Sequence, residues 1–291
     1  MDVVEILKVI FLGIVEGLTE WLPVSSSGHM LLLDAFPALN LQVSEAFKKV
    51  FIYVIQLGAV LAVVCLFFKK LFPFGIEKKQ TEQGNLKSCI VPKKNVFLLW
   101  GKVLVACLPA LVGVFVEMPD SPLVIAIALI VYGGAFIAVE LINKQKNRTF
   151  KVDSTDDITF VHALIIGAAQ ILALIPGTSR SGVTILAALL IGISRPAGAE
   201  FTFFLAIPVM VGASFIQILK ALMDGYAFSG TEIGYLLIGA IVAFAVSMVA
   251  MKLLTGFVRK HDFTPFGWYR IGLGIVVIVL IACNLLPAFV G

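Results

Sequence analysis

Glu16-Gly17-Leu18-Thr19-Glu20-Trp21-Leu22-Pro23-Val24-Ser25-Ser26-Ser27-Gly28-His29 is a short polar stretch inside otherwise apolar sequence. Gln170-Ile171-Leu172-Ala173-Leu174-Ile175-Pro176-Gly177-Thr178-Ser179-Arg180-Ser181-Gly182-Val183-Thr184 is a second. Each is a helix-like apolar run, then a proline, then a cluster of hydroxyls ending in Ser-Gly. Without gaps, Gly13 matches Gly167, Leu18 matches Leu172, Ser25 matches Ser179, Ser27 matches Ser181 and Gly28 matches Gly182. The register continues through Phe47 and Phe201, Gly58 and Gly212, and Ala59 and Ala213. The weight lies in the glycines and serines at the breaks, which apolar composition does not supply.

The surrounding chain fixes the solvent. Its 291 residues are 60% hydrophobic and 14% charged, with a mean hydropathy of +1.04. A soluble domain is about 45–50% apolar and about 25% charged, so the reading is an all-α polytopic membrane protein, a single integral membrane domain over 1–291. Apolar runs of about 20 residues lie at 47–68, 96–116, 122–142, 201–220, 233–253 and 267–288, giving six transmembrane helices. Asp2 and Glu5 stand where a cleavable signal would carry basic residues, so none is expected. Cys65, Cys89, Cys107 and Cys283 have no metal-like spacing, and three of them fall in apolar runs, where they read as packing residues.

Charge sets the orientation. The basic loop 69–95 holds Lys69, Lys70, Lys78, Lys79, Lys87, Lys93 and Lys94 and is cytoplasmic by the positive-inside rule. Counting outward, Glu117 to Asp120 lies outside, and Lys144, Lys146, Arg148 and Lys151 lie inside, in a cytoplasmic loop 143–157. Asp224 to Glu232 then lies outside, and Lys252 to His261 inside. This alternation requires residues 158–195 to enter and leave on the cytoplasmic side. They are too few for two full spans and are broken at Pro176-Gly177, so a re-entrant helix–break–helix is expected. Residues 3–40 read likewise from the outside, broken at Pro23. Lys48 and Lys49 count against that placement, with Glu45 as the only offset. Three spans separate the copies, so the repeats, about 3–142 and 158–288, are inverted. Inverted repeats with broken helices put a site near the midplane, where irregular backbone requires a wet or protein-lined cavity.

The break residues carry the chemistry. Glu16 and Glu20 are four apart and share a helix face. An ionisable group at the bilayer centre costs about 3 kcal/mol, so these two and Arg180 facing lipid would cost on the order of 9 kcal/mol. They are therefore expected to face a polar cavity, unless both glutamates merely solubilise a helix end at the interface. Adjacent carboxylates repel unless a cation sits between them, and oxygen donors suit magnesium or calcium. Ser25-Ser26-Ser27-Gly28 opens a half-helix, whose free N–H groups and hydroxyls make an anion site. His29 comes within reach of Ser26 if that turn is helical, and could activate a serine hydroxyl or protonate a leaving group. The bland alternative is a serine-rich cap with a satisfied histidine. Arg180 presents a planar fork suited to phosphate, oriented by Thr184; the alternative is a structural arginine paired with Glu16 or Glu20. Arg270, after Trp268-Tyr269, reads by default as an interfacial anchor. Gln56 and Glu200 read as hydrogen-bond glue, and His162 and His261 as ordinary residues at cytoplasmic ends.

These motifs together resemble the bacterial undecaprenyl-diphosphate phosphatase family, also called the bacitracin-resistance family. Both signatures are complete, and the resemblance continues through Val54-Ile55-Gln56-Leu57-Gly58 and Tyr269-Arg270. It implies removal of one phosphate from undecaprenyl diphosphate, which recycles the lipid carrier for cell-wall glycans and confers bacitracin resistance. It also implies a divalent cation, and an active site facing the outer side of the bacterial plasma membrane. Carried over by position, the metal-linked carboxylates are Glu16 and Glu20, the nucleophile is Ser26, the histidine is His29 and the phosphate-binding arginine is Arg180. Ser25, Ser27, Ser179, Thr184 and Arg270 complete the expected substrate-binding set. Ser27 stands where threonine is common, which makes Ser25 and Ser27 rivals to Ser26. The Ser-Gly-His string also resembles the phosphatidic-acid phosphatases, but their second histidine is missing between Val183 and Ser194. The lipid diphosphate and the bilayer are the expected partners; a homodimer is open and no nucleic acid is expected. A polyprenyl-phosphate transporter or flippase is the rival function, since inverted repeats suit carriage. A purely structural membrane subunit would leave the intramembrane charges unexplained.

Overall fold

The computed structural model describes residues 2–36, 39–80, 86–114, 116, 121–146 and 148–286. Among these, six helices are long and apolar enough to cross a membrane: Glu45–Leu66, Lys94–Val112, Pro122–Gln145, Arg195–Met223, Gly230–Val258 and Thr264–Ala282. They fall on the six apolar runs of the sequence, so this is a multi-pass, all-α membrane protein. Chain order gives α1 Val3–Thr19, α2 Ser26–Asp34, α3 Glu45–Leu66, α4 Phe68–Leu71 and α5 Lys94–Cys107, which tightens into a 3-10 turn over Leu108–Val114. Next come α6 Pro122–Gln145, α7 Phe160–Ala169 with a 3-10 extension Gln170–Leu174, α8 Arg180–Leu190, α9 Arg195–Met223, α10 Gly230–Val258 and α11 Thr264–Ala282. The expected outer turn at Glu117 to Asp120 lies outside the described residues.

One element was not foreseen. The basic segment after α4 pairs as an antiparallel hairpin, β1 Phe74–Gln80 with β2 Leu86–Pro92, in the register Phe74 to Pro92 and Gln80 to Leu86. Its lysine-rich, poorly alternating sequence hides the strand period of two.

Helix starts follow local chemistry. Asp2, Ser44, Ser121, Thr159 and Ser229 each cap the following helix through a side-chain oxygen on a free backbone N–H. Helix contacts rely on small residues. A Cβ on Gly17 of α1 would meet the Ala243 carbonyl of α10 at 2.7 Å, and one on Gly133 of α6 would meet the Gly267 carbonyl of α11 at 2.7 Å. In hydrocarbon, where no hydrophobic force drives helices together, such close backbone approach supplies the packing.

The loops gather into two groups. At one end the Lys8 ammonium donates to the Asn40 carbonyl at 2.8 Å, the Gln42 N–H donates to Glu5 at 3.0 Å, and Ser44 meets Tyr226 at 2.7 Å. Lys48, the awkward charge of the sequence reading, is neutralised there by Glu45 at 2.7 Å and Asp34 at 3.6 Å. At the other end Lys70 pairs with Glu200 at 2.8 Å and Val152 bridges Ile193. Buried Glu140 of α6 takes the Arg195 guanidinium on two oxygens and the Phe263 N–H at 3.1 Å. Beside it Asp262 meets Lys144 at 2.6 Å. Partial burial pushes the Asp262 carboxyl up, but the Lys144 ammonium and the Thr264 donors outweigh it and hold the group below its usual range. Residues 5–42 thus begin and finish at one end of the bundle, and residues 152–193 at the opposite end.

Candidate active site at the two helix breaks

The two breaks meet inside the bundle. Each ends in a serine with left-handed backbone, Ser25 at φ 75° and Ser179 at φ 74°. Each hydroxyl accepts from the N–H of the glycine three residues on: Gly28 to Ser25 at 3.2 Å and Gly182 to Ser179 at 3.1 Å. The turn reverses the chain and makes Ser26 the first residue of α2 and Arg180 the first of α8. Ser181 ties the copies together, its hydroxyl donating to the Glu20 carbonyl at 3.1 Å and lying 3.3 Å from that of Leu22.

Arg270 joins the breaks from α11. It is fully buried, donating from Nη1 to the Pro23 carbonyl at 3.0 Å and from Nη2 to the carbonyls of Gly177 and Thr178, both at 2.9 Å. These are backbone groups orphaned where the helices stop. The arginine therefore sits beneath both breaks and not at an interface, the default of the sequence reading, with three donors on protein carbonyls and its Nε without a partner.

Glu20 is the junction of the site. One of its oxygens accepts from Arg180 Nη2 at 2.7 Å and the other from the Ser26 hydroxyl at 2.5 Å. The Arg180 guanidinium also reaches the Thr202 carbonyl at 3.3 Å. Behind it, Thr184 donates to the Arg180 carbonyl at 2.9 Å and accepts from Thr202 at 3.0 Å, so Thr184 fixes the arginine backbone. The structural pairing weighed from sequence is thus present, with Glu20 as the partner.

Glu16 lies one helical turn earlier, with Glu20 and Arg180 as its charged neighbours, fully buried and with neither oxygen hydrogen-bonded. Among the described residues eight buried side-chain polar atoms lack a partner. Five belong to the two break segments: both Glu16 oxygens, Trp21 Nε1, Gln170 Oε1 and Thr178 Oγ1. Buried polar groups are satisfied almost everywhere in folded proteins, and most of the exceptions here fall on the two breaks. Among the described residues no third His, Cys, Asp or Glu joins Glu16 and Glu20. The two carboxylates nevertheless suit a hard divalent cation whose remaining ligands are water or phosphate oxygens.

His29 is hydrogen-bonded on both ring nitrogens. Its Nδ1 is 2.6 Å from the Ser25 carbonyl and its Nε2 is 2.8 Å from the Tyr269 hydroxyl, with the two rings stacked 5.8 Å apart. A carbonyl can only accept, so Nδ1 carries the proton and Nε2 accepts from Tyr269. The hydroxyl of Ser26 is directed to Glu20 and not to His29. Sequence reasoning missed Tyr269, for which only its place beside Arg270 was a signal. Of the three serines, Ser25 and Ser26 are buried and Ser27 is exposed.

Residues 9–276 match the family described as bacitracin resistance protein BacA. An undecaprenyl-diphosphatase of Enterococcus faecalis is 54% identical over 288 residues, covering 97% of this chain and 99% of its own. One from Acetivibrio thermocellus is 50% identical over 281 residues (94% and 97%), and one from Lactococcus lactis subsp. lactis is 47% identical over 284 (94% and 96%). With its motifs, six spanning helices and nearly full-length similarity in agreement, this chain belongs to the bacitracin resistance protein BacA family.

Proposed function

We propose that this protein is an undecaprenyl-diphosphate phosphatase of the bacterial plasma membrane. It releases inorganic phosphate and returns undecaprenyl phosphate to the carrier pool. The observation that carries this reading is Glu20, which holds the Ser26 hydroxyl on one oxygen and Arg180 on the other inside a buried junction. Carriage of a lipid phosphate requires no such hydroxyl–carboxylate pair, so the arrangement favours hydrolysis over a flippase.

In this reading Arg180, with donors to spare beyond Glu20 and Thr202, grips the terminal phosphate and offsets charge developing on it. Glu20 takes the Ser26 proton as the serine oxygen attacks the terminal phosphorus, and the anhydride bond to the lipid phosphate breaks. Water then attacks the phosphoserine, and Glu20 and His29 are the groups available to manage its proton. Glu16 and Glu20 would hold magnesium or calcium, which when bound supplies positive charge against the diphosphate oxygens. The hydroxyls of Ser179 and Thr184 orient Arg180, and Ser27, exposed at the start of α2, is open to the substrate.

Residues 3–40 and 158–195 are re-entrant segments of an inverted repeat in this reading, and the active site opens to the outer side. Support comes from the matched Ser25 and Ser179 turns, from the return of each segment to its own end of the bundle, and from lysines gathered at the end with Lys70, Lys93 and Lys144. Undecaprenyl diphosphate and the bilayer are the partners required. A second copy of the chain is not required, because Glu20, Ser26, Arg180 and Arg270 come from one chain. The direct experiment is phosphate release from undecaprenyl diphosphate by purified protein. Transbilayer movement of undecaprenyl phosphate without phosphate release would establish the transporter instead.

A further inference from the structure

The hairpin end carries a feature that the hydrolytic site does not use. Phe68, Phe72, Phe74 and Phe97 form a continuous aromatic ladder, with ring centroids 5.1, 5.9 and 6.0 Å apart in that order. All four rings are about half exposed, and Ile90 beside them is 75% exposed. Phe72, Phe74, Gly75 and Ile90 line a shallow, almost wholly apolar hollow of about 420 Å³. Gly75 keeps its floor low, and the Lys93 stem packs over that glycine, 3.1 Å from where a Cβ would stand. Lys93 donates to the Lys69 carbonyl at 3.2 Å, and Lys69 and Lys94 are exposed on either side. The segment from 69 to 94 has seven lysines against Glu77 and Glu82.

We propose that this hollow binds one anionic phospholipid, an acyl chain lying along the aromatic ladder and the phosphate held by Lys69, Lys93 and Lys94. Three observations favour a lipid over a protein partner. The ladder sits where α3 and α5, two membrane-spanning helices, meet the hairpin, so its exposed Phe rings lie at the ends of two spans, where acyl chains can cover them. Long lysine side chains lay their stems on apolar surface and carry the ammonium to the headgroups, as Lys93 does over Gly75. The excess of positive charge selects anionic headgroups, about fivefold for each lysine near the membrane surface.

The test uses the full chain in vesicles. Phe74→Trp, with wild type as the blank for Trp21, Trp100 and Trp268, reports the hollow by fluorescence. Titration with brominated phosphatidylglycerol should quench the new indole at much lower lipid fraction than brominated phosphatidylcholine does. Adding Lys69→Gln, Lys93→Gln and Lys94→Gln should cut that preference by about tenfold or more, while leaving the melting temperature unchanged. Equal quenching by the two lipids, quenching by neither, or a preference indifferent to the three lysines would each overturn the proposal. None of these readouts involves phosphate release, so they stand apart from the proposed hydrolysis.

Discussion

Ser25 and Ser179 hold the same left-handed backbone, and each caps the glycine three residues further on. A non-glycine residue there is strained by roughly 1 kcal/mol or more, and the hydroxyl cap offsets that cost. Alanine removes the cap and keeps the strain; glycine removes both. At each position the glycine variant should therefore be the more stable of the two, with Ser→Ala costing about 1 kcal/mol and Ser→Gly only a few tenths. Thermal unfolding in detergent reads this directly, and equal losses would mean the cap bears no strain.

The shared Glu20 contact changes what a serine substitution should report. If Ser26 is the nucleophile with Glu20 as its base, Ser26→Ala should bind substrate yet lose turnover by orders of magnitude. His29→Ala should be milder, because its ring touches the Ser25 carbonyl and Tyr269 and not Ser26. If water attacks directly, Ser26→Ala should cost only a hydrogen bond, about 1 kcal/mol or roughly tenfold at most. A variant retaining more than a tenth of wild-type kcat would remove Ser26 from the nucleophile role.

What was legible in the sequence had a local cause. The six spans followed from length and apolarity, and the two breaks from Pro23 and Pro176-Gly177 followed by helix-capping serine runs. Glu16, Glu20 and Arg180 stood out because charges in hydrocarbon are costly. Partner choice was not legible: His29 reaches Ser25 and Tyr269, and Arg270 reaches Pro23, Gly177 and Thr178, across more than 90 residues of chain in most cases. Those contacts depend on how α11 crosses the breaks, a tertiary fact without periodic signal. The hairpin was hidden because its strands, Phe74-Gly75-Ile76-Glu77-Lys78-Lys79-Gln80 and Leu86-Lys87-Ser88-Cys89-Ile90-Val91-Pro92, show no apolar–polar alternation.

Arg270 separates substrate binding from positioning. Arg270→Met keeps volume but leaves three buried carbonyls without a donor, each worth about 1–3 kcal/mol, so the melting temperature should fall by many degrees. Arg270→Lys should recover part of it, since an ammonium carries three donors but lacks the fork. The enzyme that folds should show a lower kcat with little change in KM. A raised KM with unchanged melting temperature would instead make Arg270 a substrate ligand.

Topology can be checked without chemistry on the lipid. Gln42 and Gln145 are both exposed, at opposite ends of the bundle. In a background lacking accessible cysteine, Gln42→Cys should react with an impermeant maleimide in intact cells, and Gln145→Cys only after the membrane is opened. Labelling of both from the same side would contradict the re-entrant first segment and the outer orientation of the site.

Glu16 offers the sharpest test of a metal. Two carboxylates sit together with Arg180 engaged by Glu20, which leaves Glu16 with no donor of its own. If no cation binds, a carboxyl this buried is held neutral, so the isosteric glutamine should leave both the melting temperature and turnover largely unchanged. If Glu16 and Glu20 hold magnesium or calcium, the wild type should gain about 2.7 kcal/mol of stability at a hundredfold excess of the ion over its Kd. Glu16→Gln should lose that gain together with most of the activity, and Glu20→Gln should do the same. Chelation should abolish phosphate release and either ion restore it. Full activity in excess chelator, or a wild-type melting temperature indifferent to both ions, would leave the paired carboxylates without a metal and Glu20 acting on Ser26 alone.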